Sequence, residues 1–144
     1  MALPRPVPGL IIRTSYLWVR EHREGRDEGR KDRPCAIIAA VRDDDGDTRV
    51  LVLPVTHSAP DHAGLAVEIP ATVKQRLKLD DEPSWVVLSE WNEFVWPGPD
   101  LRPAPTGDDA SVAYGMLPPG LFATIRDRFL ALAQAGVPRR VPRT

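Results

Sequence analysis

Three short segments hold the residues whose chemistry bears on function. In Gly29-Arg-Lys-Asp-Arg-Pro34, Arg33 stands where a charged loop meets an apolar strand. A guanidinium offers a planar fork that clamps a phosphate through two hydrogen bonds, and it serves equally to hold a loop carboxylate. In Leu53-Pro-Val-Thr-His-Ser58, the Thr56 hydroxyl can donate to a phosphate oxygen or close a Thr/Ser turn. In Ser89-Glu-Trp-Asn-Glu-Phe94, Glu90 and Glu93 cannot face the same side of a regular strand, because side chains alternate. Trp91 and Trp96 can stack bases or fill a core or dimer interface. Asn92, between the two acids, is a further candidate contact.

The positions of these segments follow from the elements around them. Leu10 to Val19 reads as a first strand, and residues 20–33 as a long, charged, mobile loop. Cys35 to Val41 is apolar throughout, which predicts a central strand. Asp43 to Asp47 contains Asp45-Gly46, a tight-turn pair, so Arg49 to Val55 returns as the antiparallel partner. That hairpin puts the start of one strand beside the end of the other, so Arg33 and Thr56 should meet at one rim. Pro54 should sit at a sheet edge or strand end. Leu65 to Ile69 and Trp85 to Ser89 read as strands, the latter running on towards Trp96. Pro70 to Leu77 reads as one or two helical turns. Pro97 to Pro105 is irregular. Leu121, Phe122, Ile125, Phe129 and Leu132 make one stripe on a helix from Pro118 to Leu132, stopped by Gly136 and Pro138. Many short strands with hairpin turns favour a small, mainly β barrel: an arm at 1–7, one domain at 8–136 and a basic tail at 137–144.

Composition narrows the classes. The chain has 144 residues, 42% hydrophobic and 27% charged, enough for one modest core. It has 16 prolines, which argue against long helices before the end. The lone Cys35 excludes an internal disulfide. No apolar run is long enough for a membrane span and no secretion signal is visible, so a cytoplasmic location is expected. Net charge is −1, unhelpful for nucleic-acid binding. Its distribution is uneven, because Arg13 to Arg33 holds seven Lys/Arg against five Asp/Glu and Arg139, Arg140 and Arg143 follow near the end. An anion should therefore prefer the loop around Arg30 and Lys31 to the Asp43–Asp47 cluster. No phosphate-cradling glycine loop, nucleophile elbow or Cys/His set with zinc spacing is present. His57 and His62, five apart, read as two loop histidines, and no metal or cofactor is expected.

Taken in order, these features resemble the MazF/PemK/Kid toxins of bacterial type II toxin–antitoxin systems. The resemblance runs over roughly residues 8–134: Pro8-Gly9-Leu-Ile, then Gly29-x-x-x-Arg33-Pro34, Leu53-Pro-Val-Thr56, Leu65-Ala-Val-Glu-Ile69, a Val-Val-Leu strand ending in Glu90, and the C-terminal amphipathic helix. It implies a five- to six-stranded antiparallel barrel of the CcdB/MazF type, usually a homodimer. It implies a metal-independent, sequence-selective endoribonuclease (an mRNA interferase) that cuts single-stranded RNA through attack of the 2′-hydroxyl, leaving a 2′,3′-cyclic phosphate. Arg33 would stabilise the phosphorane, Thr56 would hydrogen-bond the phosphate, and Glu90 is a base candidate, with His57 in reserve. Arg30, Lys31, Ser58, Trp91 and Asn92 would contact substrate, and an antitoxin would cover the basic rim. The chain departs from the family at Leu88 and Trp91, where some members carry Arg and Gln, and only His22 stands for a loop histidine. A non-catalytic RNA- or protein-binding barrel is the alternative. A CcdB-like gyrase inhibitor ranks lower, because Val141-Pro-Arg-Thr144 replaces that relative's Trp-Gly-Ile end.

Overall fold

The computed structural model describes residues 3–25, 31–105 and 111–143. The protein is mainly β. Among the described residues, eight strands form one sheet consistent with a small barrel, accompanied by three α-helices and one 3₁₀ turn at Ala63–Leu65. The strands are β1 (Leu10–Ser15), β2 (Asp32–Arg42), β3 (Thr48–Thr56), β4 (Ala66–Glu68), β5 (Trp85–Val87), β6 (Glu90–Val95), β7 (Ala113–Met116) and β8 (Arg139–Pro142). The helices are α1 (Val19–Arg23), α2 (Ala71–Arg76) and α3 (Pro119–Gln134). The main path runs β4-β5-β3-β2-β1-β7, with β6 branching from β3 and carrying β8. Every pairing is antiparallel except β6 with β8. None of the described helices is long and apolar enough to cross a membrane.

β2 is central, as its double-sided apolar pattern predicts. Cys35 and Ile37 enter one cluster with Ile12, Val52 and Phe94, while Ala36 and Ile38 enter the other with Leu53, Val86 and Phe129. α3 covers the second cluster through Ile125 and Phe129, both buried, with Leu121, Phe122 and Leu132 packed beside them. The β2–β3 hairpin closes as expected: the Asp43 N–H donates to Asp47 O at 2.7 Å, and Gly46 takes a positive φ of 89°. Pro54 sits where β3 changes neighbours. Its outer side pairs with β6 up to Val52 and with β5 from Val55, so the missing N–H falls between two ladders.

Several expectations need correction. The loop after β1 is in part a helix, because α1 occupies Val19–Arg23; residues 26–30, Arg30 among them, lie outside the described residues. The strand expected from Trp85 to Trp96 is two strands, broken at Leu88-Ser89. A short strand, β7, lies at Ala113–Met116, beyond the region assigned as irregular. The basic tail is β8, with Arg139 to Pro142 parallel to Glu90 to Glu93. Two of its three arginines, Arg140 and Arg143, are engaged by carboxylates. Arg140 Nε lies 3.3 Å from Glu93 Oε2, and Arg143 Nη2 lies 2.8 Å from Asp100 Oδ2.

Candidate functional site

The β2–β3 ladder sets the geometry. It ends with Cys35 paired to Pro54, and Arg33 and Thr56 each lie two residues beyond that last pair, on adjoining strand ends. Both line a groove of about 830 Å³ that also takes in Lys31, Ser58 and His57. The structure therefore brings together Arg33, Thr56, His57, Lys31 and Ser58 as the sequence predicts. Arg33 is loosely held. Nη1 donates to Val55 O at a long 3.4 Å, Nε is buried without a partner, and no carboxylate pairs with it among the described residues. Its guanidinium carbon lies 4.9 Å from the centroid of the Trp18 ring, a cation–π distance. Trp18 is in turn braced edge-on by buried Tyr16 at 5.2 Å.

Trp18 is the groove residue that sequence reasoning misses. It falls in the segment read as first strand, and only the tertiary fold brings it to Arg33. α1, which follows it, is five residues long and cannot nucleate unaided. Two carboxylates satisfy the backbone at its start: Glu21 Oε1 accepts the Trp18 N–H at 3.2 Å, and Glu90 Oε1 accepts the Val19 N–H at 2.9 Å.

Thr56 Oγ1 accepts the Ser58 N–H at 3.2 Å, so the turn role is realised. The hydroxyl still has its own proton to donate. His57 is exposed, but both ring nitrogens are engaged. Nε2 lies 2.8 Å from Asp80 Oδ2, and Nδ1 lies 3.1 Å from Pro83 O and 3.2 Å from Ser84 Oγ. Burial alone would raise the Asp80 carboxyl. The Lys74 hydrogen bond, the His57 ring, the Lys74 charge and the Glu82 N–H outweigh it and hold Asp80 below the usual carboxylate range.

Glu90, Trp91 and Asn92 are placed elsewhere, and none of them lines the groove. Glu90 accepts from Tyr16 Oη at 3.1 Å as well as from Val19 N–H. Trp91 packs edge-on against Phe129 at 5.8 Å and its Nε1 donates to Glu93, so its ring is core rather than a base platform. Trp96 stacks on Phe94 at the other cluster. Asn92 is buried and clamps the Leu17 backbone, accepting its N–H at 2.9 Å and donating to its carbonyl at 2.7 Å. Strand alternation turns Asn92 inwards, which the sequence pattern alone does not distinguish from a substrate contact.

Burial pushes the Glu90 carboxyl up, more than the Val19 and Tyr16 hydrogen bonds and Arg20 lower it. The folded protein thus holds this proton more tightly than the unfolded chain. The group's contribution to stability is greatest below the ordinary glutamate range and is lost as pH rises through the folded pKa. Glu90→Gln keeps the acceptor for Val19 and Tyr16 but removes the charge. At pH 7 the variant is expected to melt a few degrees above wild type, with the two curves converging below pH 4. Thermal unfolding across that range checks it. A variant that melts lower at pH 7 would show that the charge, not the acceptor, holds α1.

The groove is electrically mixed. Arg20, Lys31 and Arg33 face four carboxylates, one of which, Asp32, lies 3.6 Å from Arg102, while Asp80 bonds Lys74 at 2.8 Å. Positive charge is concentrated at the Lys31–Arg33 end. The chain matches no protein-family model, and no curated protein matches it at a significant level.

Proposed function

We propose that the protein is a metal-independent endoribonuclease acting on single-stranded RNA, the toxin of a type II toxin–antitoxin pair, built on a MazF/PemK-type barrel. One observation carries the reading: Arg33, a guanidinium with no carboxylate partner among the described residues, and a hydroxyl, Thr56, line one solvent-open groove at a strand rim. In the proposed reaction the ribose 2′-hydroxyl gives its proton to solvent water and attacks the adjacent phosphorus, and the bond to the 5′-oxygen breaks as that oxygen takes a proton from water. The products are a 2′,3′-cyclic phosphate and a 5′-hydroxyl end. Charge gathers on the non-bridging oxygens as the phosphorane forms. Arg33 donors and the Thr56 hydroxyl answer that charge, with Lys31 and Ser58 holding flanking phosphates.

Neither earlier base candidate is poised for proton abstraction. Glu90 holds α1, and His57 has both nitrogens occupied. The rate enhancement is accordingly assigned to charge stabilisation at Arg33. The protein is further proposed to be a cytoplasmic homodimer, silenced by an antitoxin segment over the Lys31–Arg33 end of the groove.

The test is incubation of purified protein with mixed single-stranded RNA in EDTA, followed by end-group analysis. Fragments ending in 2′,3′-cyclic phosphate are expected. The balanced groove charge and the occupied His57 favour the second reading, a barrel that binds RNA or protein without cutting. RNA retention with no fragments would establish that reading in place of the first.

A further inference from the structure

We propose that His57, Asp80 and Glu82 form a binding site for a divalent transition-metal ion such as Zn²⁺, on the wall of the groove. The site does not depend on the ribonuclease reading.

The three side chains come from two places in the fold. His57 follows β3, while Asp80 and Glu82 lie in the loop between α2 and β5. One donor atom from each falls within 4.8 Å of the others, and among the described residues no other three such groups converge. His57 Nε2 is 2.8 Å from Asp80 Oδ2 and 3.5 Å from Glu82 Oε2. Two ligands of a tetrahedral ion with bonds of 2.0–2.1 Å are about 3.4 Å apart, so these separations bracket the required edge with small side-chain rotations. All three residues are exposed, which leaves the ion a path of entry and water a fourth position.

A second observation concerns the other face of the imidazole. Pro83 O, 3.1 Å from Nδ1, can accept a hydrogen bond from that nitrogen in the tautomer that frees Nε2 for an ion. Nε2 faces the two carboxylate oxygens and can donate a hydrogen bond to Asp80 Oδ2 at 2.8 Å, the position a metal ion would take over from that proton. A backbone carbonyl on the far nitrogen is the usual device that fixes the tautomer of a metal-binding histidine. The carboxylates are also oriented from behind. Buried Lys74 donates from Nζ to Asp80 Oδ1 at 2.8 Å and to the Glu82 carbonyl, and the Glu82 N–H reaches Asp80 Oδ1 at 3.2 Å. These contacts consume Oδ1 and leave Oδ2 for the ion. Once an ion has displaced the proton on Nε2, the set of His57, Asp80, Glu82 and Lys74 carries one net negative charge, which favours a cation. The imidazole nitrogen favours Zn²⁺ and its neighbours over Mg²⁺ or Ca²⁺. A bound ion would tie the α2–β5 loop to the end of β3.

Isothermal titration calorimetry of the full chain with ZnCl₂ and with MgCl₂ tests the site. One saturable Zn²⁺ site is expected, with Mg²⁺ much weaker. His57→Ala should weaken Zn²⁺ binding at least about ten-fold, and Glu82→Gln should weaken it less. His62→Ala should leave it unchanged. Zn²⁺ should also raise the wild-type Tm and not that of His57→Ala, since the ligands meet only in the folded chain. Any of three results would overturn the proposal: no saturable Zn²⁺ binding by the wild type, an isotherm retained in His57→Ala, or Mg²⁺ binding as tightly as Zn²⁺.

Discussion

Arg33→Ala is expected to cleave single-stranded RNA roughly 10²–10³-fold more slowly than wild type, the usual loss when one preorganised donor to a developing oxyanion is removed. The same variant should fold. Among the described residues Arg33 has no carboxylate partner to strand, and its one side-chain hydrogen bond there, to Val55 O, is long. What it loses is the Trp18 contact, worth about 0.5–2 kcal/mol depending on how dry the site is. A large fall in rate with a small fall in stability therefore distinguishes a chemical role from a structural one. Arg33→Lys sharpens the comparison, because an ammonium restores the charge but not the fork. It should keep RNA affinity in a low-salt filter assay and recover only part of the rate. If Arg33→Ala cuts within a few-fold of wild type, the groove chemistry proposed for Arg33 is wrong.

The meeting of Arg33 and Thr56 in one groove was legible in the sequence because it depends on one local device. Asp45-Gly46 dictates the hairpin, and a hairpin's register fixes which residues face one another at its far end. The central position of β2 and the buried stripe of α3 were legible for the same kind of reason, since each follows from a short periodic pattern. What failed was decided by contacts distant in sequence. α1 exists because Glu90, 71 positions away from Val19, supplies an acceptor at its start. Trp91 and Asn92 look like exposed groups in a mixed strand, yet α3 covers the first and Leu17 claims the second. Asp80 and Glu82 reach His57 only through the fold of the α2–β5 loop, so no spacing rule would group them.

The basic C-terminal residues show the same principle with the largest energetic consequence. Arg143→Ala is expected to destabilise the protein by about 3–5 kcal/mol, the cost of breaking a buried ion pair from one side. The Arg143 side chain is only 4% exposed, and its Nη2 lies 2.8 Å from Asp100 Oδ2, itself 18% exposed. Nη1 donates to Ser15 O at 2.6 Å and to Asn92 Oδ1 at 3.2 Å. One guanidinium, on the residue just after β8, thus joins β1, β6 and the segment after β6. Truncation leaves a carboxylate with little water and a backbone carbonyl without its donor. Against a typical total of about 5–15 kcal/mol, that loss approaches complete unfolding at 37 °C. Urea denaturation at pH 7 measures it. Arg143→Met with Asp100→Asn should cost much less than Arg143→Ala, because no charge is then left unpaired. A free basic tail makes the opposite forecast. A solvated arginine could be removed for about 0.5 kcal/mol or less, so a loss that small in Arg143→Ala would return these residues to the surface and reopen them as an anion site.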